Sequence, residues 1–223
     1  MPIRSIRRTA GHSATTRLSA HFTKRRRPQK IVTGRRSEGI VMVGYLPLRA
    51  RIIIALLLVL MLLGLSMADL DRLELVRGGL FCVLLLVMAV IDFRTGLLPD
   101  RGNLYLAGLG LMMAGVMGEA QDALLGALLG AALLFALRTL SRGGIGLGDV
   151  KYAAAFGIWL GWQGTLLALA LAFALGACLA LVLLGMGWLG RRDRLAFGPF
   201  LSAGAYLSYI GGAAFWSAYE VLL

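Results

Sequence analysis

Residues 164–190 read GTLLALALAFALGACLALVLLGMGWLG, 27 consecutive positions without a charged side chain. A helix needs roughly 20 predominantly apolar residues to cross a bilayer, whose hydrocarbon core is about 30 Å thick. The stretch therefore reads as a membrane helix, and the chain repeats the pattern around it. Further apolar segments run over approximately 50–68, 78–93, 103–118, 122–140, 146–162 and 197–222. Together they predict an all-α, polytopic membrane helix bundle of about seven transmembrane helices. The second, third and fifth segments are short, and the fifth fits a tilted helix or a locally thinned bilayer.

Charge divides the chain in two. Residues 1–51 hold 13 Lys and Arg against one acid, Glu38, which accounts for the whole formal net charge of +12. Residues 1–48 lack periodic apolar spacing and read as a basic, disordered cytoplasmic tail; residues 49–223 read as one membrane-embedded domain. The run Lys24-Arg25-Arg26-Arg27 suits nucleic acid or anionic lipid. A solvated tail that fixes topology is the simpler reading, with membrane lipid as the partner and no nucleic acid expected. The acid-poor, Arg- and Ser-rich composition also resembles a transit peptide, and Met42 offers a later start. The loops at 94–102, 138–151 and 191–194 carry Arg or Lys, whereas those at 118–122 and 162–163 carry neither. By the positive-inside rule the N-terminus is cytoplasmic and, with seven spans, the C-terminus lies outside.

Several chemistries are excluded by what is missing. Cys82 and Cys178 stand in separate apolar stretches with no CxxC pair, so neither a zinc knuckle nor a disulfide framework is indicated. Both read as small packing residues. The two histidines, His12 and His21, lie in the basic tail, which leaves the membrane body without a His-based metal site or a Ser–His relay. No metal and no cofactor are expected. The pairs Gly126/Gly130 and Gly157/Gly161 have the GxxxG spacing of closely packed helices. Trp159, Trp162, Trp188 and Trp216 fall near segment ends, as interfacial anchors do.

Two aspartates remain: Asp92 in AVIDFRTGLLPD (89–100) and Asp149 in GIGLGDVKYAAAFG (144–157). A carboxylate at the rim of a bilayer is costly and is kept mainly where it does chemistry, binds an ion or moves a proton. The loop charges put both on the cytoplasmic side. Pro99 is expected to end the helix after Asp92 and stiffen the turn. Gly146 and Gly148 allow unusual backbone angles and close approach of another segment, and Lys151 adds positive charge beside Asp149. Asp149 sits near a helix N-terminus and Asp92 near a C-terminus, so the dipoles oppose. If the carboxylates meet, they share one proton and titrate as a unit, with Asp149 the expected base. Such a dyad can activate water while protonating a carbonyl oxygen. The competing readings are helix caps or Arg partners, a non-enzymatic proton or cation transporter using the same aspartates, and a catalytically silent assembly scaffold.

Asp92-Phe93-Arg94-Thr95-Gly96-Leu97-Leu98-Pro99-Asp100 resembles the first active-site motif of the type IV prepilin peptidases, and Gly146-Leu147-Gly148-Asp149-Val150-Lys151 resembles their GxGDxK motif. Gly157-Ile158-Trp159-Leu160-Gly161-Trp162 and Ala196-Phe197-Gly198-Pro199-Phe200 are similar to segments downstream. The resemblance covers roughly residues 78–215. It implies a bacterial inner-membrane aspartic endopeptidase in which Asp92 and Asp149 are the catalytic pair. The implied substrates are prepilins or pseudopilins, cut after a short basic leader at the cytoplasmic face, in a pilus or secretion system. Many members carry a methyltransferase domain with paired CxxC motifs; those cysteines are missing, so N-methylation is not expected. Tyr152 stands where Leu is usual, Gly102-Asn103 differ from the common residues, and Ala196 replaces a frequent Pro. These departures bear on substrate preference. The span at 50–68 reads as an addition to a six-helix peptidase core.

Overall fold

A computed structural model describes residues 47–67, 71–188 and 196–222. The expected basic tail, up to residue 46, and the 191–194 loop lie outside these residues. Six helices follow in order: α1 (Leu48–Met67), α2 (Arg72–Thr95), α3 (Asp100–Met117), α4 (Ala120–Leu140), α5 (Leu147–Gly185) and α6 (Gly198–Leu222). No strand occurs among the described residues. The chain is all-α, as its long apolar runs predict. By length and composition α1, α2, α4 and α5 can each cross a membrane.

The six elements contain seven helical segments, because α5 is broken at Gly161, whose φ of 67° and ψ of −177° are not helical. The break is a reversal. The first limb starts beside α6, where Tyr152 bonds Ser202, and ends beside Arg77 near the start of α2. The second limb begins where Ser208 bonds Gly164 and returns to bring Gly176 against Phe197 and Phe200. Trp162 and Gln163, expected to be a loop, are therefore helical, and one glycine makes the turn. A side chain on Gly161 would meet the Asp122 carboxylate, and the positive φ favours glycine in its own right.

A reversal inside an apolar bundle frees backbone groups that must find other partners. Three side chains supply them. Arg77 Nη2 donates to the Trp159 carbonyl at 2.5 Å. Asp122 Oδ1 accepts the Trp162 N–H at 3.4 Å, and Thr165 Oγ1 donates to the Gly161 carbonyl at 2.6 Å. Arg77 is buried within α2 and also pairs with Glu119 at 2.7 Å. Truncating it strands both partners. Arg77→Met is expected to lose about 1–3 kcal/mol, the cost of leaving a buried polar group unpaired. Glu119→Gln is expected to lose under about 1 kcal/mol, because that partner is half exposed. Thermal unfolding in detergent checks the ranking.

Glycine sets the spacing of α4 against the first limb of α5. Cβ atoms added at Gly126 or Gly157 would strike the other's backbone, and one at Gly130 would come within 2.6 Å of the Ala153 carbonyl oxygen. The GxxxG reading is correct here. The interfacial reading of Trp159 is not: Trp159 is 1% exposed, stacked on Phe81 with ring centroids 5.1 Å apart. Its indole N–H donates to the Leu106 carbonyl at 2.8 Å. A buried indole needs such a partner, which turns a nominal anchor into the centre of the core. Trp162 and Trp188 are exposed. Cys82 is buried, whereas Cys178 is exposed on α5. α1 buries only Leu65 and leaves apolar side chains outward on most of its circumference, the composition of a helix whose solvent is lipid.

Candidate active site

The end of α2, the start of α3, the start of α5 and the start of α6 meet at one end of the bundle. Gly96, with φ 62°, stops α2 and donates its N–H to the Asp92 carbonyl at 2.7 Å. The expected stop at Pro99 is thus made three residues earlier by a left-handed glycine. Pro99 instead occupies the N-cap position of α3 with an extended backbone, where its missing N–H costs little. Between them the connection runs past α5: a Cβ on Gly148 would meet Leu98 Cβ at 3.2 Å. Gly148 is there for close approach. Unusual angles are not its role, and Gly146 likewise has an ordinary extended conformation (φ −69°, ψ 148°).

Each carboxylate is fixed by one backbone donor at the beginning of a helix. Asp149 Oδ2 accepts the Gly146 N–H at 3.1 Å, reaching back from the third helical position as in a capping box. Asp92 Oδ2 accepts the Gly198 N–H at 2.8 Å. That bond comes from α6, 106 residues further along the chain, and sequence order gives no hint of it. A Cβ on Gly198 would fall 2.5 Å from Asp92 Oδ2, so the carboxylate lies directly on the α6 backbone. Asp92 is buried at 4% exposure, and Asp149 is half-buried.

This geometry corrects the expected electrostatic asymmetry. Asp92 ends α2 but also faces the start of α6, where the Gly198 N–H and the helix dipole favour an anion. Both carboxylates are therefore set at helix starts, and no division between base and acid follows from the dipoles. The contact of Gly148 with Leu98 and the bond from Gly198 to Asp92 set both carboxylates at the same end of the bundle. Lys151 does not serve Asp149: its Nζ pairs with Asp100 Oδ1 at 2.7 Å, on the exposed rim, and ties α5 to α3. Neither Oδ1 atom of the pair accepts a hydrogen bond among the described residues. The helix-cap reading is thus correct for Oδ2 of Asp149 and leaves its second oxygen free.

The sequence missed three contributors. Gly198 has no local signal beyond its place in Ala196-Phe197-Gly198-Pro199-Phe200; Tyr152 and Ser202, which bond one another at 2.7 Å beside it, are buried within α5 and α6. Tyr152, one of the departures from the family pattern, is fully buried. The only available signal was a phenol in an otherwise small, apolar stretch, YAAAFG. No cluster of three His, Cys, Asp or Glu side chains able to hold a metal occurs among the described residues.

A multi-pass helical membrane protein with two carboxylates converging at one end of its bundle is the class these features define. Residues 79–181 match the type IV leader peptidase family. The chain is 36% identical to the leader peptidase HopD of Escherichia coli over 137 residues, which is 57% of this chain and 88% of HopD. It is also 36% identical over 155 residues to a prepilin leader peptidase/N-methyltransferase of Escherichia coli K12, covering 65% of this chain and 67% of that protein. A protein of the same description from Burkholderia pseudomallei is 39% identical over 142 residues, covering 60% of this chain and 46% of that one. The chain belongs to the type IV leader peptidase family. It spans about half the length of the first curated relatives it matches. No solved structure matches it.

Proposed function

We propose that this protein is a membrane aspartic endopeptidase that removes the basic leader of type IV prepilin or pseudopilin-like proteins, with Asp92 and Asp149 as the catalytic pair. The observation that carries the reading is the convergence of the two carboxylates at one end of the bundle, each oriented by a single backbone N–H. Each keeps its second oxygen for water or substrate. One carboxylate takes a proton from the attacking water while the other donates to the scissile carbonyl oxygen; the tetrahedral intermediate then collapses as the amine leaves with a proton. Neither step needs a covalent enzyme intermediate.

Four residues support the pair: Gly148 lets the start of α5 close on the α2–α3 connection, Gly146 holds the Asp149 carboxylate through its N–H, Pro99 opens α3, and Lys151 ties α5 to Asp100 at the start of α3. The membrane arrangement we favour has seven spans in a bacterial inner membrane, with the N-terminus, the basic tail and the aspartates on the cytoplasmic side. It follows from loop charge. The substrate's apolar helix would lie in the bilayer and present its leader junction to the pair. The transporter and scaffold readings have no observation in their favour.

The test is co-expression of the full chain with a prepilin-type substrate that carries a basic leader, a glycine and an apolar helix. Mass spectrometry should find the substrate shortened at the leader junction. A substrate that stays intact beside correctly inserted protein would sink the peptidase reading.

A further inference from the structure

Asp92 is held by Gly198, and Gly198 is itself held by two buried hydroxyls. Ser202 Oγ donates to the Gly198 carbonyl at 3.0 Å. Its one proton being used there, the 2.7 Å contact with Tyr152 is a bond from the phenol O–H to Ser202 Oγ. Gly198 then donates its N–H to Asp92 Oδ2 at 2.8 Å. The line Tyr152, Ser202, Gly198, Asp92 crosses from the first limb of α5 through α6 to α2. Tyr152 is completely shielded and Ser202 nearly so.

A phenol shut away from water must keep its acceptor, and a buried hydroxyl must keep both partners. These bonds are therefore constraints on where the first turn of α6 can sit. That turn needs them. Pro199 contributes no N–H, and the opening N–H groups of any helix have no acceptor within it. The Phe200 and Leu201 N–H groups reach only the adjoining Phe197 carbonyl, both at 3.1 Å; the bond of Ser202 to the first carbonyl and, through Tyr152, the attachment to the limb that carries Asp149 tie the turn to another helix. Both carboxylates are thereby referred to one rigid element: Asp149 because it is on the first limb of α5, and Asp92 because Gly198 is fastened to that limb.

We infer that Tyr152 and Ser202 are a positioning pair that aims the Asp92 carboxylate at Asp149 by fastening the first turn of α6 to the first limb of α5. The inference deepens the peptidase reading and rests on it for its kinetic consequence; the effect on Asp92 itself is independent of any activity. Neither residue touches the reacting atoms.

The experiment uses the full chain in detergent with Tyr152→Phe, Ser202→Ala and the double variant. Tyr152→Phe removes one oxygen and keeps the ring, and thermal unfolding verifies the fold. Infrared difference spectra read the Asp92 carboxyl stretch, assigned by its loss in Asp92→Asn. Each single variant should shift that band, and the double variant should shift it no further, because the two residues act in one line. On a synthetic peptide with a basic leader, a glycine and an apolar helix, kcat should fall about tenfold with KM unchanged, the signature of misaligned chemistry and not of lost binding. A band that stays in place in both single variants overturns the inference, whatever happens to the rate. A rise in KM alone overturns it too. If the wild type leaves the peptide uncut while the band still moves, the positioning pair stands and the peptidase reading falls. A wild type that cuts, with an unmoved band, gives the reverse.

Discussion

Asp92→Asn and Asp149→Asn are each expected to reduce leader cleavage by at least about a thousandfold, the upper part of the range for loss of a general acid or base. The substitutions are suited to the site. Asparagine keeps an oxygen that can accept the Gly198 N–H at position 92 or the Gly146 N–H at position 149. The start of α6 and the cap of α5 are thus preserved while the titratable oxygen is lost. Folding should be unchanged, and the thermal midpoint in detergent should remain close to that of the wild type. The double variant should be little slower than either single one, because groups that act in the same chemical step fail as a unit. Rates measured on the same leader peptide check all three points. If either single variant retains more than about a tenth of wild-type cleavage, the pair is not the catalytic centre; general acid–base roles are worth far more than that.

The largest loss of stability is expected from Gly126→Val and Gly157→Val. At each position a Cβ would collide with the opposing backbone, and backbone cannot swing aside as a flexible side chain can. Separating the helices sacrifices the contacts that hold α4 to the first limb of α5, since apolar lipid supplies no compensating drive to keep them together. Each substitution should cost at least about 3 kcal/mol, the upper end for an overpacked site. For a domain of this size that lowers the thermal midpoint by roughly 6–12 °C. Gly108→Ala and Gly115→Ala supply the opposite sign. Both lie in α3 with nothing within 4 Å of an added Cβ, so each should be neutral or gain up to about 1 kcal/mol from reduced backbone freedom in the unfolded chain. Equal effects at all four positions would show that helix propensity, and not close approach, governs these glycines.

Legibility followed the range of the interaction. Apolar runs marked the helical segments because each is decided within its own stretch. The tight α4–α5 contact was legible because GxxxG places two small residues on one helix face. The Gly161 reversal was half visible: two apolar segments were expected there, but the connection was placed at Trp162 and Gln163, because a turn made by one residue leaves no polar loop to read. Trp159 looks like an anchor in sequence because its position near a segment end is a local feature. Its stacking on Phe81 and its bond to Leu106 come from three separate helices.

The same division applies to the two aspartates. The sequence alone determined that they are exceptional, since charge is scarce in these apolar surroundings, and that loop charges favour one side for both. It determined the all-α class, because only internally bonded helices or closed barrels satisfy the backbone in lipid. It could not reveal that Asp92 is governed by Gly198, that Lys151 belongs to Asp100, or that Tyr152 faces Ser202. Those pairings join residues far apart in the chain, and hydrogen bonds depend on distances of tenths of an ångström that only the packed helices set. Tertiary structure thus changed an expected opposition of helix ends into two carboxylates each seated at the start of a helix, because it brought α6 to the end of α2.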